Sequence, residues 1–147
     1  MEWVGFDIKA EPVPASRPKV TARGMAYYPA RHTAYVEFLK KYLKEVPALA
    51  AKALFEVKLL FVMPRYKTSE SNTHRADVDN LSKLPLDCMT KATDEDGNRR
   101  FWEDDCKIVH LTVLKRFARE GEEPHTKVRL RALEGDVDDL VDEAFHQ

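Results

Sequence analysis

Phe55-Glu56-Val57-Lys58-Leu59-Leu60-Phe61-Val62-Met63-Pro64 is the stretch on which the fold turns. At its start Glu56 and Lys58 alternate with Phe55, Val57 and Leu59, the two-residue period of a strand with one buried face. From Leu60 onward both faces become apolar, the pattern of a strand covered on both sides. The run predicts a central strand, and Pro64, which has no N–H to donate to a ladder, stops it.

Before this strand, Tyr35, Phe38, Leu39, Tyr42, Leu43 and Val46 recur at helical spacing, so Arg31 to Val46 reads as a helix with one buried face. Glu2 to Ala10 alternates as a strand ended by Pro12 and Pro14. Ser16 to Tyr28 then reads as a rigid basic loop, with Arg17, Lys19 and Arg23 set among prolines and aromatics. Beyond Pro64, Arg65 to Arg75 has the polar composition of a loop. A second helix is expected from about Asp79 to Met89, with Leu81, Leu84 and Cys88 on one side. Pro85 lies inside it and predicts a kink or a restart, because proline lacks the donor and crowds the carbonyl of Leu81. Lys91 to Arg100 reads as a charged loop. Lys107 to Phe117 and His125 to Leu133 alternate as strands, with Gly121-Glu122-Glu123-Pro124 suggesting a hairpin between them.

The 147 residues are 44% hydrophobic and 10% aromatic, enough for one core without disulfide support. Cys88 and Cys106 have neither a paired nor a zinc-like spacing, which points to a reducing compartment and to two small buried side chains. There is no leader-like N-terminus and no apolar run of membrane length, so the expected location is the cytoplasm. The net charge of −1 hides an asymmetry. The last fourteen residues hold six acids (Glu134, Asp136, Asp138, Asp139, Asp142, Glu143) and no Lys or Arg, so the rest of the chain has 24 basic against 19 acidic residues. A basic body suits a polyanionic partner. The acidic end, 134–147, reads as a solvated, disordered tail.

Chemistry concentrates in Asp77-Val78-Asp79-Asn80-Leu81-Ser82-Lys83 and in Trp102-Glu103-Asp104-Asp105. Hard divalent cations take several oxygen ligands, usually carboxylates gathered from separate segments. Gathered carboxylates resist ionising together unless a cation joins them. Lys83, one turn beyond Asp79, can bring an ammonium to the same pocket, and Asp87, a further turn on, can face it or pair with a lysine. The same residues also serve as a helix cap with a favourable dipole interaction and as a solvated turn, and spacing alone leaves both readings open. Asp94, Asp96 and Asn98 begin like a calcium loop, but Arg99 and Asp105 stand where that loop needs glycine and glutamate. No glycine-rich phosphate loop or nucleophile elbow is present.

Taken together, Pro14-Ala15-Ser16-Arg17-Pro18-Lys19, Tyr27-Tyr28-Pro29, Asp77 to Lys83, Leu86-Asp87, Trp102 to Val109 and Lys115-Arg116-Phe117 resemble the RusA family of Holliday-junction resolvases in order and spacing. The resemblance implies a single small α/β (α+β) domain, residues 1–133, with a mixed sheet and two main helices packed on it. It further implies a magnesium-dependent homodimer, with manganese as a possible substitute, that nicks branched DNA in recombination and repair. Carried over residue by residue, it places catalysis on Asp77, Asp79, Lys83 and Asp105, with Asp104 as the other candidate for the third metal ligand. Arg17, Lys19, Arg23 and Arg75 are the foremost candidates for DNA contacts, with Arg65, Lys67, Arg99 and Arg100 behind them. The rival expectations are a branched-DNA-binding accessory protein without catalysis, and a metal-dependent phosphatase acting on small molecules.

Overall fold

Leu54–Met63 (β4) is a central strand in the computed structural model, which describes residues 2–65, 76–134 and 137–146. On one side it pairs in parallel with Ile108–Phe117 (β5). On the other it pairs antiparallel with His125–Leu133 (β6), and Val4–Ile8 (β1) adds antiparallel to the outer edge of β6. The result is one mixed four-stranded sheet in the order β1-β6-β4-β5.

The expected hairpin between the last two strands is not formed. Each of them pairs with β4, on opposite edges, because the segment that is apolar on both faces takes the centre. The connection 118–124 therefore crosses the end of β4, where the Ala118 N–H donates to the Met63 carbonyl at 2.8 Å. A bidentate ion pair clasps it: Arg116 donates to both carboxylate oxygens of Glu122 at 2.6 and 2.9 Å, and the Arg119 N–H donates to the same carboxylate at 2.9 Å.

Two helices cover one face of the sheet. Ala30–Tyr42 (α1) buries Tyr35 and Leu39, and Val78–Lys91 (α2) buries Leu81, Leu84, Cys88 and Met89 against Phe55, Val57, Leu59, Phe61 and Met63. Arg100 closes the end of α1 by donating to the carbonyl of its C-cap residue Leu43, an orphan acceptor of the helix end, and to the Val46 carbonyl in the turn beyond. The helix does not restart at Pro85: α2 continues through it from Val78 to Lys91, with the ring buried. Burial of that ring offsets the one backbone bond it forfeits.

Three further features went unread in the sequence. Lys19–Val20 (β2) and Ala26–Tyr27 (β3) make a small antiparallel hairpin within the expected basic loop. A 3-10 turn, Asp105–Lys107, leads into β5. In the tail, expected to be disordered, Asp138–Phe145 forms a helix (α3) with no buried residue. Its acids and its apolar residues Leu140, Val141, Ala144 and Phe145 occupy opposite sides, the spacing of an amphipathic helix. Among the described residues, no helix is long and apolar enough to cross a membrane.

Trp102 is 0% exposed, lies edge-on to Phe55 at 5.6 Å and donates its indole N–H to the Thr90 hydroxyl at 2.6 Å. It pins the turn before β5 against the end of α2. Trp102→Ala is expected to cost about 3–5 kcal/mol of unfolding free energy, read from urea melts. A second expectation concerns acid. The Arg116 hydrogen bonds hold the Glu122 carboxyl down to about 2, with help from the Arg119 N–H. A depressed folded-state pKa contributes stability that is full above the ordinary carboxylate range and is lost as pH falls toward about 2. Glu122→Gln should flatten that part of the stability-against-pH curve, whereas an acid limb identical to wild type would dismiss the clasp.

Candidate active site

Because β4 and β5 run parallel, the chain must return from the end of β4 to the start of β5, and α2 makes that return. The first turn of α2 consequently sits by the carboxyl ends of the two parallel strands, the usual place for a ligand in such sheets. Lys115, near the end of β5, fastens it there by donating its ammonium to the Ala76 carbonyl at 2.8 Å.

Asp77 occupies the N-cap position with extended backbone, φ −73° and ψ 147°, yet its carboxylate makes no capping hydrogen bond. The cap reading thus accounts for its place in the chain but not for its side chain. Asp79 lies in the first turn and Lys83 one turn later, and Asp77, Asp79 and Lys83 are all exposed. The segment before the β2–β3 hairpin lies beside them, since the Ala15 N–H donates to the Asn80 carbonyl at 2.8 Å. Next to it the Ser16 N–H donates to Nδ1 of the buried His32 at 3.1 Å.

Asp104 caps the 3-10 turn by accepting from the Cys106 N–H at 3.5 Å. Asp104 and Asp105 also hydrogen-bond each other, which lowers the pKa of Asp104 and raises that of Asp105. Like charge from Asp104 and from Asp87 raises Asp105 further. Asp105 also feels Asp87, which lies about 12 Å along the α2 axis from Asp79 at 1.5 Å per residue. Among the described residues, no three His, Cys, Asp or Glu side chains come close enough to hold a metal ion between them.

A magnesium ion does not need such a cage. It keeps several waters and is commonly held by one or two protein carboxylates plus substrate phosphates. The donors here are all hard oxygens, and the carboxylate of Asp77 is uncommitted as a cap, so they fit that kind of ion. Like charges also keep carboxylates apart until a cation joins them.

The basic residues divide. Arg17, Lys19 and Arg23 are fully displayed around the β2–β3 hairpin. Arg65 donates to the Ala118 carbonyl at 3.2 Å, Arg99 to the Thr90 carbonyl at 2.9 Å, and Arg100 to the end of α1, so these three bind backbone. Lys67 and Arg75 lie outside the described residues. Cys88 is buried, but Cys106, expected to be buried too, is exposed on the 3-10 turn. Asp94 folds over its own loop, accepting from the N–H groups of Asp96 and Asn98 at 2.9 and 3.0 Å in a turn closed by a Thr93–Arg99 bridge. Sequence reasoning passed over Lys115 as a site residue. The available signal was its place on the same face of β5 as Leu111, Val113 and Phe117, where alternation calls for an apolar side chain.

The sequence matches the family profile described as Endodeoxyribonuclease RusA over residues 9–131, from the end of β1 through most of β6. Comparison with curated proteins returned no match. The matched span takes in the hairpin, the start of α2 and the Asp104-Asp105 turn, and with five-sixths of the chain inside it, this protein belongs to the RusA endodeoxyribonuclease family.

Proposed function

We propose that the protein is a magnesium-dependent, structure-selective endodeoxyribonuclease that resolves four-way DNA junctions and related branches by paired nicking in recombination and repair. Family membership over residues 9–131 supports the reaction class. The observation that carries the site is the uncapped, exposed Asp77 beside Asp79 and Lys83, fastened by Lys115 at the ends of the parallel strands. A helix start that needed only a cap would engage that carboxylate.

Asp77 and Asp79 hold the cation, and Asp105, or its neighbour Asp104, completes the set when an ion and DNA phosphates draw the acids together. Bound there, magnesium supplies a water of lowered pKa and neutralises charge on the scissile phosphodiester. Manganese substitutes, since it accepts the same oxygen donors. Lys83 places its ammonium where negative charge develops on the phosphorus oxygens. Lys115 is a positioning residue that keeps the first turn of α2 against β5. Arg17, Lys19 and Arg23, together with Arg75, take the DNA backbone. Two copies related by a two-fold axis present two such sites to strands of like polarity. The nuclease domain is residues 1–133, the acidic segment 134–147 is appended to it, and the protein works in the cytoplasm.

Incubation of the wild-type protein with a synthetic four-way junction and magnesium should yield paired nicks. Asp79→Asn is expected to lower the rate by about 100-fold, and Lys83→Met by roughly 100- to 1000-fold. Chelation should abolish the products while leaving binding intact. Metal-indifferent binding with no product from the wild type removes this reading in favour of a non-catalytic junction binder, and undiminished cleavage by Asp79→Asn removes Asp79 and its site from the chemistry.

A further inference from the structure

Residues 17–28 are exposed without interruption, and large apolar groups among them are open to an unusual degree: Val20 is 66% exposed, Met25 69%, Tyr27 48% and Tyr28 49%. A two-stranded hairpin this short has too little pairing to justify such exposure by its own stability. Contiguous exposed apolar surface on a soluble domain marks a binding site. The surroundings name the chemistry of the partner. From Pro12 to Ala30 the chain has Arg17, Lys19 and Arg23 and no Asp or Glu, while Arg31 just beyond pairs with Glu11 at 3.1 Å, so the partner that fits the hairpin is a polyanion with apolar faces.

The hairpin sorts these groups onto sides. Lys19 lies directly across from Tyr27 and Val20 from Ala26, and alternation carries Met25 to the side of Lys19 and Tyr27. The turn is set by local bonds, Thr21 N–H to the Met25 carbonyl at 2.9 Å and Met25 N–H to the Thr21 hydroxyl at 3.1 Å, with Gly24 at φ 83° where other residues are strained. The two adjacent tyrosines differ. Tyr28 stacks on His32 with ring centroids 4.4 Å apart, whereas Tyr27 has no ring contact among the described residues. At its base the hairpin is tied to the candidate active site through Ala15 to Asn80, and to α1 through Ser16 to His32.

We propose that the β2–β3 hairpin is a base-stacking arm: Met25 and Tyr27 pack on bases left unpaired where a DNA branch opens, and Arg17, Lys19 and Arg23 hold the flanking phosphates. The proposal rests on the reading of branched DNA as substrate and adds how a branch is told from a continuous duplex. Stacking on an aromatic side chain needs a free base face, which an intact duplex does not offer and an opened branch point does. Backbone cations bind both substrates alike. The arm therefore supplies selectivity and the cations supply general affinity.

The test uses the full-length protein without divalent ions, on a four-way junction carrying 2-aminopurine at the branch point and on a matched duplex. The wild type should change the 2-aminopurine emission on the junction only. Tyr27→Ala and Met25→Ala, both at exposed positions, should keep the wild-type melting temperature, abolish that change, weaken junction binding by about tenfold and leave duplex binding unaltered. Lys19→Gln or Arg23→Gln should weaken both substrates and reduce the salt slope by about one per residue. A wild type that gives no emission change, or alanine variants that retain both the change and the junction-to-duplex ratio, would overturn the arm. Failure of the nuclease reading shows separately: with magnesium the wild type gives no products, while its emission change on the junction persists.

Discussion

Two parallel strands cannot be joined by a tight turn, and the β4–β5 ladder therefore dictates where the site is built. The chain has to travel back along the sheet before β5 can start, and α2 is the rigid part of that journey. Its apolar side closes the core over β4, and its start is delivered to the carboxyl ends of the parallel strands. Asp77, Asp79 and Lys83 owe their position to this crossover. Lys115 adds a direct tie from β5 to the chain just before Asp77, linking the strand that demands the crossover to the residues it delivers.

Electrostatics then shapes the site within that frame. The carboxylates lie in two groups, one at the first turn of α2 and one at Asp104 and Asp105, where hydrogen bonding to Asp104 and the charge of Asp87 raise the Asp105 pKa. Buried aromatic packing holds the second group in place, since Trp102 fixes the preceding turn to Thr90 on α2. Repulsion between like charges opposes closer approach of carboxylates that no cation joins. The cations of the hairpin remain exposed, while Arg65, Arg99 and Arg100 bind carbonyls of the scaffold. Hydrogen-bond partners thus separate basic side chains that hold the scaffold from those left exposed.

Periodicity was a dependable guide where one face is plainly buried. The central strand, both main helices and the alternating β6 follow directly from it, because the burial that stabilises an element also writes its period into the chain. Pairing was less legible. Gly121 and Pro124 suggested a hairpin, but a turn signal marks where the chain reverses and not which strand lies beside it. The greater hydrophobicity of β4 placed that strand between its two neighbours. The tail shows the same limit: its acids argued for disorder, while the spacing of Leu140, Val141, Ala144 and Phe145 supports a helix.

By itself the sequence determined the elements with a strong period, the single-domain scale, the basic body, and the acids and lysine of the candidate site. Each of these is a local property or a pattern of residue types along the chain. Only the tertiary structure decided that β5 and β6 flank β4, that Asp77 leaves its cap unmade, that Lys115 reaches the start of α2, and that the basic loop is an exposed hairpin anchored at Asn80. These depend on which distant segments compete for the same neighbour, and that competition is settled by the packing of the whole chain rather than by any one stretch of it.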